Sequence, residues 1–199
     1  MPDDLITDLE GLRRLYPEPK GRSVEKQLSA LDKHCRNFIA HSPFLVMATD
    51  GDASPKGDAP GFVQVIDDNT IVIPDRRGNN RLDSMQNLLR NPKVGLLFFV
   101  PGVNETLRIN GIAKITTDAA LLEPLAVQGK VPVTGILIRV EEAFLHCAKA
   151  LIRSRLWAED TKVAPGTLPS GGRMLADQIG ADPETEEAAY RKSVKETLY

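Results

Sequence analysis

The sequence predicts a mainly β domain with flanking helices, built on six strands closed into a barrel. Three observations carry this prediction. Between Pro43 and Val140 the apolar residues fall in short runs rich in Val, Ile and Phe, separated by Gly, Asp, Asn and Pro, which is the punctuation of strands and turns. No regular alternation of strand and long helix breaks up these runs, so a doubly wound parallel sheet is disfavoured. The link Asp67, Asp68, Asn69 between two of the runs is short enough for a hairpin between antiparallel neighbours.

Taken in order, residues 1–22 form an N-terminal arm, in which Thr7 to Tyr16 reads as a short helix closed by Pro17 and Pro19, since proline cannot continue a helix. From Ser23 to Ser42 the residues Val24, Leu28, Leu31, Cys35 and Phe38 recur at steps of four and three. That spacing predicts one amphipathic helix ending at Pro43. The six strands expected next are Phe44 to Thr49, Gly61 to Ile66, Thr70 to Pro74, Val94 to Val100, Thr106 to Ile115 and Gly135 to Val140. Leu82, Met85, Leu88 and Leu89 mark a helix stopped by Asn91 and Pro92, and Ala143 to Trp157 reads as another. The domain proper is therefore expected over residues 23–157. Residues 158–199 follow as an extension: a loop from Pro165 to Gly172, a short helix from Arg173 to Ile179, and a polar helical tail from Asp182 to Tyr199 starting near Pro183.

Composition narrows the function. Lysine and arginine number 25 against 27 aspartate and glutamate, a formal charge of −2, so no basic excess recruits nucleic acid or acidic lipid. Cys35 and Cys147 are the only cysteines, too few for a disulfide framework, and the opening MPDDLITDLE is acidic where a secretory leader is basic and apolar. A cytoplasmic location is expected. The longest apolar run, Val94 to Val100, is far short of the roughly 20 residues of a membrane-spanning helix.

The most informative segment is Pro74-Asp75-Arg76-Arg77-Gly78-Asn79-Asn80-Arg81-Leu82-Asp83. It follows a strand, turns at Gly-Asn and opens a helix, with Asn80 as the expected N-cap and Asp83 in the first turn. A helix N-terminus leaves backbone N–H groups available to an anion, and guanidinium forks match phosphate oxygens. The segment therefore suits one phosphate monoester; a solvated, well-capped turn is the alternative. Upstream, Lys56 and the Gly-Pro-rich stretch leading into Gly61 suit close approach of a flat molecule to backbone, or simply an exposed loop. Within Thr106 to Gly111, Thr106, Arg108 and Asn110 alternate with Leu107 and Ile109, giving one polar strand face that suits either a ligand or solvent.

Trp157, the lone tryptophan, ends a stretch carrying Lys149, Arg153 and Arg155 and suits either ligand stacking or packing. His34-Cys35 and His146-Cys147 lack metal-ligand spacing, because neighbours on a helix point about 100° apart. No metal site is expected. The chain also lacks GxSxG, GxGxxG and GxxxxGK[ST], which removes the corresponding hydrolase, dinucleotide and P-loop readings.

Together, SPKGDAPGFVQVIDDNTIVIPDRRGNNR, the helix ending in Asn-Pro, the apolar strand, NETLRING and HCAKALIRSRLW resemble the flavin-nucleotide-binding split-barrel family related to pyridoxamine 5'-phosphate oxidase. The resemblance runs from about Ser23 to Trp157. It implies a six-stranded Greek-key split barrel that pairs as a homodimer, with FMN in each of two clefts between subunits. By the same resemblance, backbone at Gly61, Phe62 and Val63 runs beside the isoalloxazine ring, and Arg76, Asn79, Asn80 and Arg81 hold the phosphate. Thr106 and Arg108 approach the cofactor, Lys56 adds a charge, and Trp157 comes from the partner subunit.

Two departures bear on activity. The oxidases carry an Arg-x-His segment that meets substrate near the C-terminus, whereas no histidine follows His146 here. This argues against oxidation of pyridoxamine phosphate itself. Thr106 also stands where the oxidases carry a longer amide. The resemblance thus implies an FMN-dependent oxidoreductase acting on a small organic donor or a nicotinamide cofactor. The alternatives are a flavin carrier or sensor without turnover, or a split barrel holding haem or a deazaflavin.

Overall fold

The computed structural model describes residues 5–196. A short helix α1 (Leu9–Leu15) and one turn α2 (Arg22–Glu25) precede α3 (Lys33–His41). Seven strands follow: β1 (Phe44–Thr49), β2 (Asp52–Gly57), β3 (Gln64–Val65), β4 (Thr70–Pro74), β5 (Lys93–Phe99), β6 (Thr106–Thr116) and β7 (Gly135–His146). Between them lie α4 (Asp83–Arg90), linking β4 to β5, and α5 (Ala119–Leu122) with a 3-10 turn at Glu123–Leu125, linking β6 to β7. After β7 come α6 (Lys149–Ser154), α7 (Gly171–Ile179) and α8 (Pro183–Glu196). The strands make one sheet in the order β2-β1-β5-β6-β7-β4-β3, and every pairing is antiparallel.

The antiparallel sheet and the hairpin across Asp67–Asn69 follow the sequence expectation, with β3 pairing β4 through Val65 opposite Ile71, but the helices around the sheet make the fold mixed α/β rather than mainly β. The strand count also differs, because the sheet has seven strands rather than six. The extra one is β2, where Ser54-Pro55-Lys56 reads as loop. Pro55 is accommodated because β2 is an edge strand with only β1 beside it, so its missing N–H removes no bond from the sheet interior. The strand expected over Gly61 to Ile66 shrinks to the two residues of β3.

Two helices predicted from spacing are also corrected. The segment Ser23 to Ser42 is not one helix. Leu28 exchanges backbone hydrogen bonds with Ala143 at 2.9 and 2.8 Å, and Leu31 N–H reaches the Asp68 carbonyl at 2.7 Å. The helix starts only at Asp32, whose carboxylate accepts from the N–H groups of His34 and Cys35, a side-chain cap that satisfies two otherwise orphaned donors. Ala143 to Trp157 is not one helix either, because β7 continues to His146 opposite Thr106. A bulge at Asn110/Gly111 makes this long pairing possible. A Cβ at Gly111 would lie 2.2 Å from the Arg139 carbonyl oxygen, so only glycine permits that approach.

Alternation along the strands puts Leu45, Met47, Leu96, Phe98, Leu107 and Ile109 in one core, with Ile71 and Ile73 of β4 and Ile136 and Ile138 of β7; Cys35 and Ile39 of α3 cover it. The extension expected at 158–199 contains α7 and α8, which pack on each other. A Cβ at Gly172 would lie 2.5 Å from the Glu187 Cα, so the two helix backbones touch there. The expected arm and tail each reach beyond the described residues at their outer ends.

Candidate functional site

A cleft of about 970 Å³ opens where β4 leaves the sheet. One wall is the turn from Asp75 through Asp83 together with Ser54, Pro55 and Lys56 of β2; the other runs from Val127 to Thr134. The second wall is a small hairpin. Val127 and Lys130 exchange backbone hydrogen bonds, with Gln128 and Gly129 both at positive φ between them, as a primed two-residue turn requires.

The cationic turn does not cap its helix as the sequence suggests. The N-cap of α4 is Leu82, not Asn80, and it provides no side-chain hydrogen bond. Asn80 and Leu82 both adopt left-handed backbone, at φ 60° and 58°, a conformation that costs a branched residue about 1–2 kcal/mol. The first turn of α4, including Ser84 and Met85 on the cleft wall, is left without a side-chain cap and thus open to an external acceptor.

Arginines divide by environment. Arg76 is mostly buried: its Nε pairs with the Asp58 carboxylate at 2.5 Å and its Nη1 donates to the Leu125 carbonyl at 2.8 Å. It enters the cleft with part of its fork committed to tying three loops together. Arg81 is largely exposed, with Asp83 at 2.8 Å as its ion-pair partner; that hydrogen bond favours its charged form. Across the cleft, Asp75 N–H donates to the Thr134 carbonyl at 3.0 Å. Burial raises the Asp75 carboxyl above its ordinary value, against the opposing pull of Lys56.

Of the sequence-predicted residues, Lys56, Arg76, Asn79, Asn80 and Arg81 come together on this cleft. The others do not. Gly61 sits at φ 83° on the loop after Asp58, and Phe62 and Val63 point into the core. Thr106, buried, and Arg108, exposed, lie near the start of β6, whereas the cleft wall at Thr134 adjoins β7 where it pairs with the end of β6. An eleven-residue strand spans about 33 Å. Trp157 belongs to the far end too, its Nε1 donating to the Val103 carbonyl at 2.8 Å.

Sequence reasoning missed the Val127–Thr134 wall, whose signal was Gly129 between Val127 and Lys130. It also passed over Val131 and Val133 and took Leu82 for a helix-face residue; these are exposed at 47%, 84% and 47% and line the same cleft. Among the described residues no group of three or more potential metal-binding side chains forms, and no helix is long and apolar enough to cross a membrane.

Three solved structures are similar to parts of this chain. HupZ of Group A Streptococcus is 19% identical, with a TM-score of 0.46, covering 58% of this chain and 93% of that one. An FMN-binding protein from Syntrophomonas wolfei is 12% identical, with a TM-score of 0.43, covering 56% and 83%. The general stress FMN/FAD binding protein of Xanthomonas citri is 19% identical, with a TM-score of 0.41, covering 70% and 100%. No curated protein matches the sequence. The family model described as pyridoxamine 5'-phosphate oxidase matches residues 31–147, more than half of the chain and every strand, and the chain therefore belongs to the pyridoxamine 5'-phosphate oxidase family.

Proposed function

We propose that this protein binds FMN, with the phosphate at the uncapped N-terminus of α4. The observation that carries this reading is the meeting of three features in one cleft: a helix start without a side-chain cap, Arg81 beside it, and Lys56 on the same wall. This arrangement suits a phosphate monoester. Asn79 and Asn80 complete the turn, and Arg76 positions it through Asp58 and Leu125. The aliphatic lip of Leu82, Val131 and Val133 gives the cleft an apolar border beside its charges, as an amphiphilic cofactor requires.

Thr106, Arg108 and Trp157, also expected at the cofactor, are at the other end of β6, too far to reach the same molecule within one chain. We read this as a site completed by a second copy, with Thr106, Arg108 and Trp157 supplied across a homodimer. The outward side chains of β1 and β5 support such a contact: Phe44 is 40% exposed, and Val46, Leu97 and Phe99 are only partly covered. In this reading the seven-stranded sheet curls into the family's split barrel. Bound flavin supplies hydride or single-electron transfer, while the chain holds and orients it and limits water access.

The activity we propose is FMN-dependent oxidoreduction of a small organic molecule or a nicotinamide cofactor, with no side chain assigned as general acid or base. Pyridoxamine phosphate is not the proposed substrate, because no histidine follows His146. That same absence favours a second reading, a flavin carrier without turnover. Purified protein should show a flavin absorption spectrum and release FMN, identified by mass, at one per subunit. A colourless protein that takes up no added FMN refutes the proposal. Anaerobic reduction of the bound flavin by NADH or NADPH separates enzyme from carrier.

A further inference from the structure

At the end of β6 and β7 remote from the cleft, side chains from three elements converge on one aromatic ring. The antiparallel register sets Thr106 opposite His146 and Arg108 opposite Phe144, so these residues share one face of the sheet. The Arg108 guanidinium carbon lies 5.7 Å from the centroid of the Phe144 ring. Lys26, just past α2, reaches the same ring from outside the sheet: its Nζ stands 5.2 Å from the centroid and donates to the Leu145 carbonyl at 2.7 Å. The His146 ring centroid is 6.3 Å from that of Phe144.

Among the described residues, none of the ion pairs involves Lys26 or Arg108. The carboxylate that the same face carries, Glu142, accepts from the Asn110 side chain at 2.6 Å. His146 adds a directional donor. Its Nδ1 is buried without a partner, and a proton placed there would be a buried N–H with no acceptor. The neutral ring therefore carries its proton on Nε2. Burial first, then Arg108 and Lys26, hold the imidazole below its ordinary pKa, so this neutral form prevails at pH 7.

We propose that Lys26, Arg108 and His146 form an oxyanion-binding site, separate from the α4 cleft, for the phosphate or carboxylate group of a small ligand. Arg108 offers a planar fork, Lys26 a point charge, and His146 an Nε2–H donor. A bound anion would also relieve the mutual repulsion of the two cations. Within one chain the α4 cleft and this constellation share no residue, and Arg108, which the dimer reading also brings toward a second copy's flavin, is the one residue the two proposals have in common.

The test follows the His146 ring resonances of full-length, ¹⁵N-histidine-labelled protein by NMR. Inorganic phosphate or malonate is titrated in at constant pH, with ionic strength held by chloride. The expected result is a saturable shift and a rise in the His146 pKa on saturation. Arg108→Gln and Lys26→Gln should each weaken phosphate at least about tenfold, as expected for loss of a hydrogen bond to a charged group. Lys26 is exposed, so its variant keeps the fold. Arg81→Ala should leave the titration unchanged. Saturation by phosphate alone supports a phosphoryl ligand, and saturation by both supports a carboxylate as well. A non-saturating shift, one that chloride reproduces, or one that disappears in Arg81→Ala overturns the proposal.

Discussion

The β6–β7 pairing and the turn that leaves β4 are built on opposite terms. Leu107, Ile109, Ile136 and Ile138 expose 1% or less of their surface, in a ladder that runs unbroken except for one bulge. The turn from Arg77 to Leu82 is exposed throughout and holds two non-glycine residues in left-handed backbone. Burial drives the first, at about 25 cal/mol per Å² of apolar surface. The second persists because it is tethered at both ends, by Arg76 to Asp58 and by α4 to the core through Met85 and Leu88. Stability and ligand binding are thus assigned to different segments, and substitutions in one should leave the other largely untouched.

The largest separation is expected from Ile109→Ala, which empties a fully buried position. It should lose about 2–5 kcal/mol of unfolding free energy in urea denaturation. Next comes Asp58→Ala, which leaves Arg76 mostly buried without its carboxylate and should cost about 3 kcal/mol. Because Arg76 ties the turn to the Leu125 carbonyl, this variant should weaken FMN as well. It is the one substitution here that crosses the boundary between the two regions, and normal FMN affinity in it would show that the tether does not position the turn.

Smaller effects sharpen the contrast. Asp32→Ala removes the α3 cap and should cost about 1 kcal/mol at pH 7. The backbone N–H of Cys35 is the main cause holding the Asp32 carboxyl below its ordinary value. Its contribution is therefore full above the unfolded-state pKa, about 3.9, and is lost as pH falls through the lower folded value. The gap between wild type and variant should close in acid. Leu82→Gly should relieve the left-handed strain and leave stability unchanged or up to about 1 kcal/mol higher. Thiol labelling offers a chemical counterpart: Cys147 is exposed, whereas Cys35 is buried and its thiol is pushed up to about 11. At pH 8 Cys147 should react first and Cys35 only on unfolding, a difference that mass spectrometry reads directly.

Where the sequence was legible follows from the same contrast. Strands such as Thr70–Pro74 and Lys93–Phe99 announce themselves because both propensity and burial favour them. The cationic turn after β4 was legible as a turn because arginine, glycine and asparagine carry their chemistry in their identity. Leu28 and Leu31 misled because helical spacing does not distinguish a helix face from extended residues that happen to pack inward. Phe144 likewise fitted a helix, although the long β6 partner holds it in a strand. The Lys26, Arg108 and His146 grouping has no sequence signal at all, since residues 26, 108 and 146 meet only through the register of β6 with β7 and the path of the chain after α2.

The central claim is that the β4–α4 turn recognises a phosphate. It is tested most directly by titrating apo-protein with FMN and with riboflavin, which differ only in that group, in wild type and Arg81→Ala. FMN should bind wild type at least about tenfold more tightly than riboflavin, the scale of a charge-assisted hydrogen bond, and Arg81→Ala should erase most of that preference while leaving riboflavin unchanged. Equal binding of FMN and riboflavin to wild type, or a preference that survives in Arg81→Ala undiminished, would contradict the account.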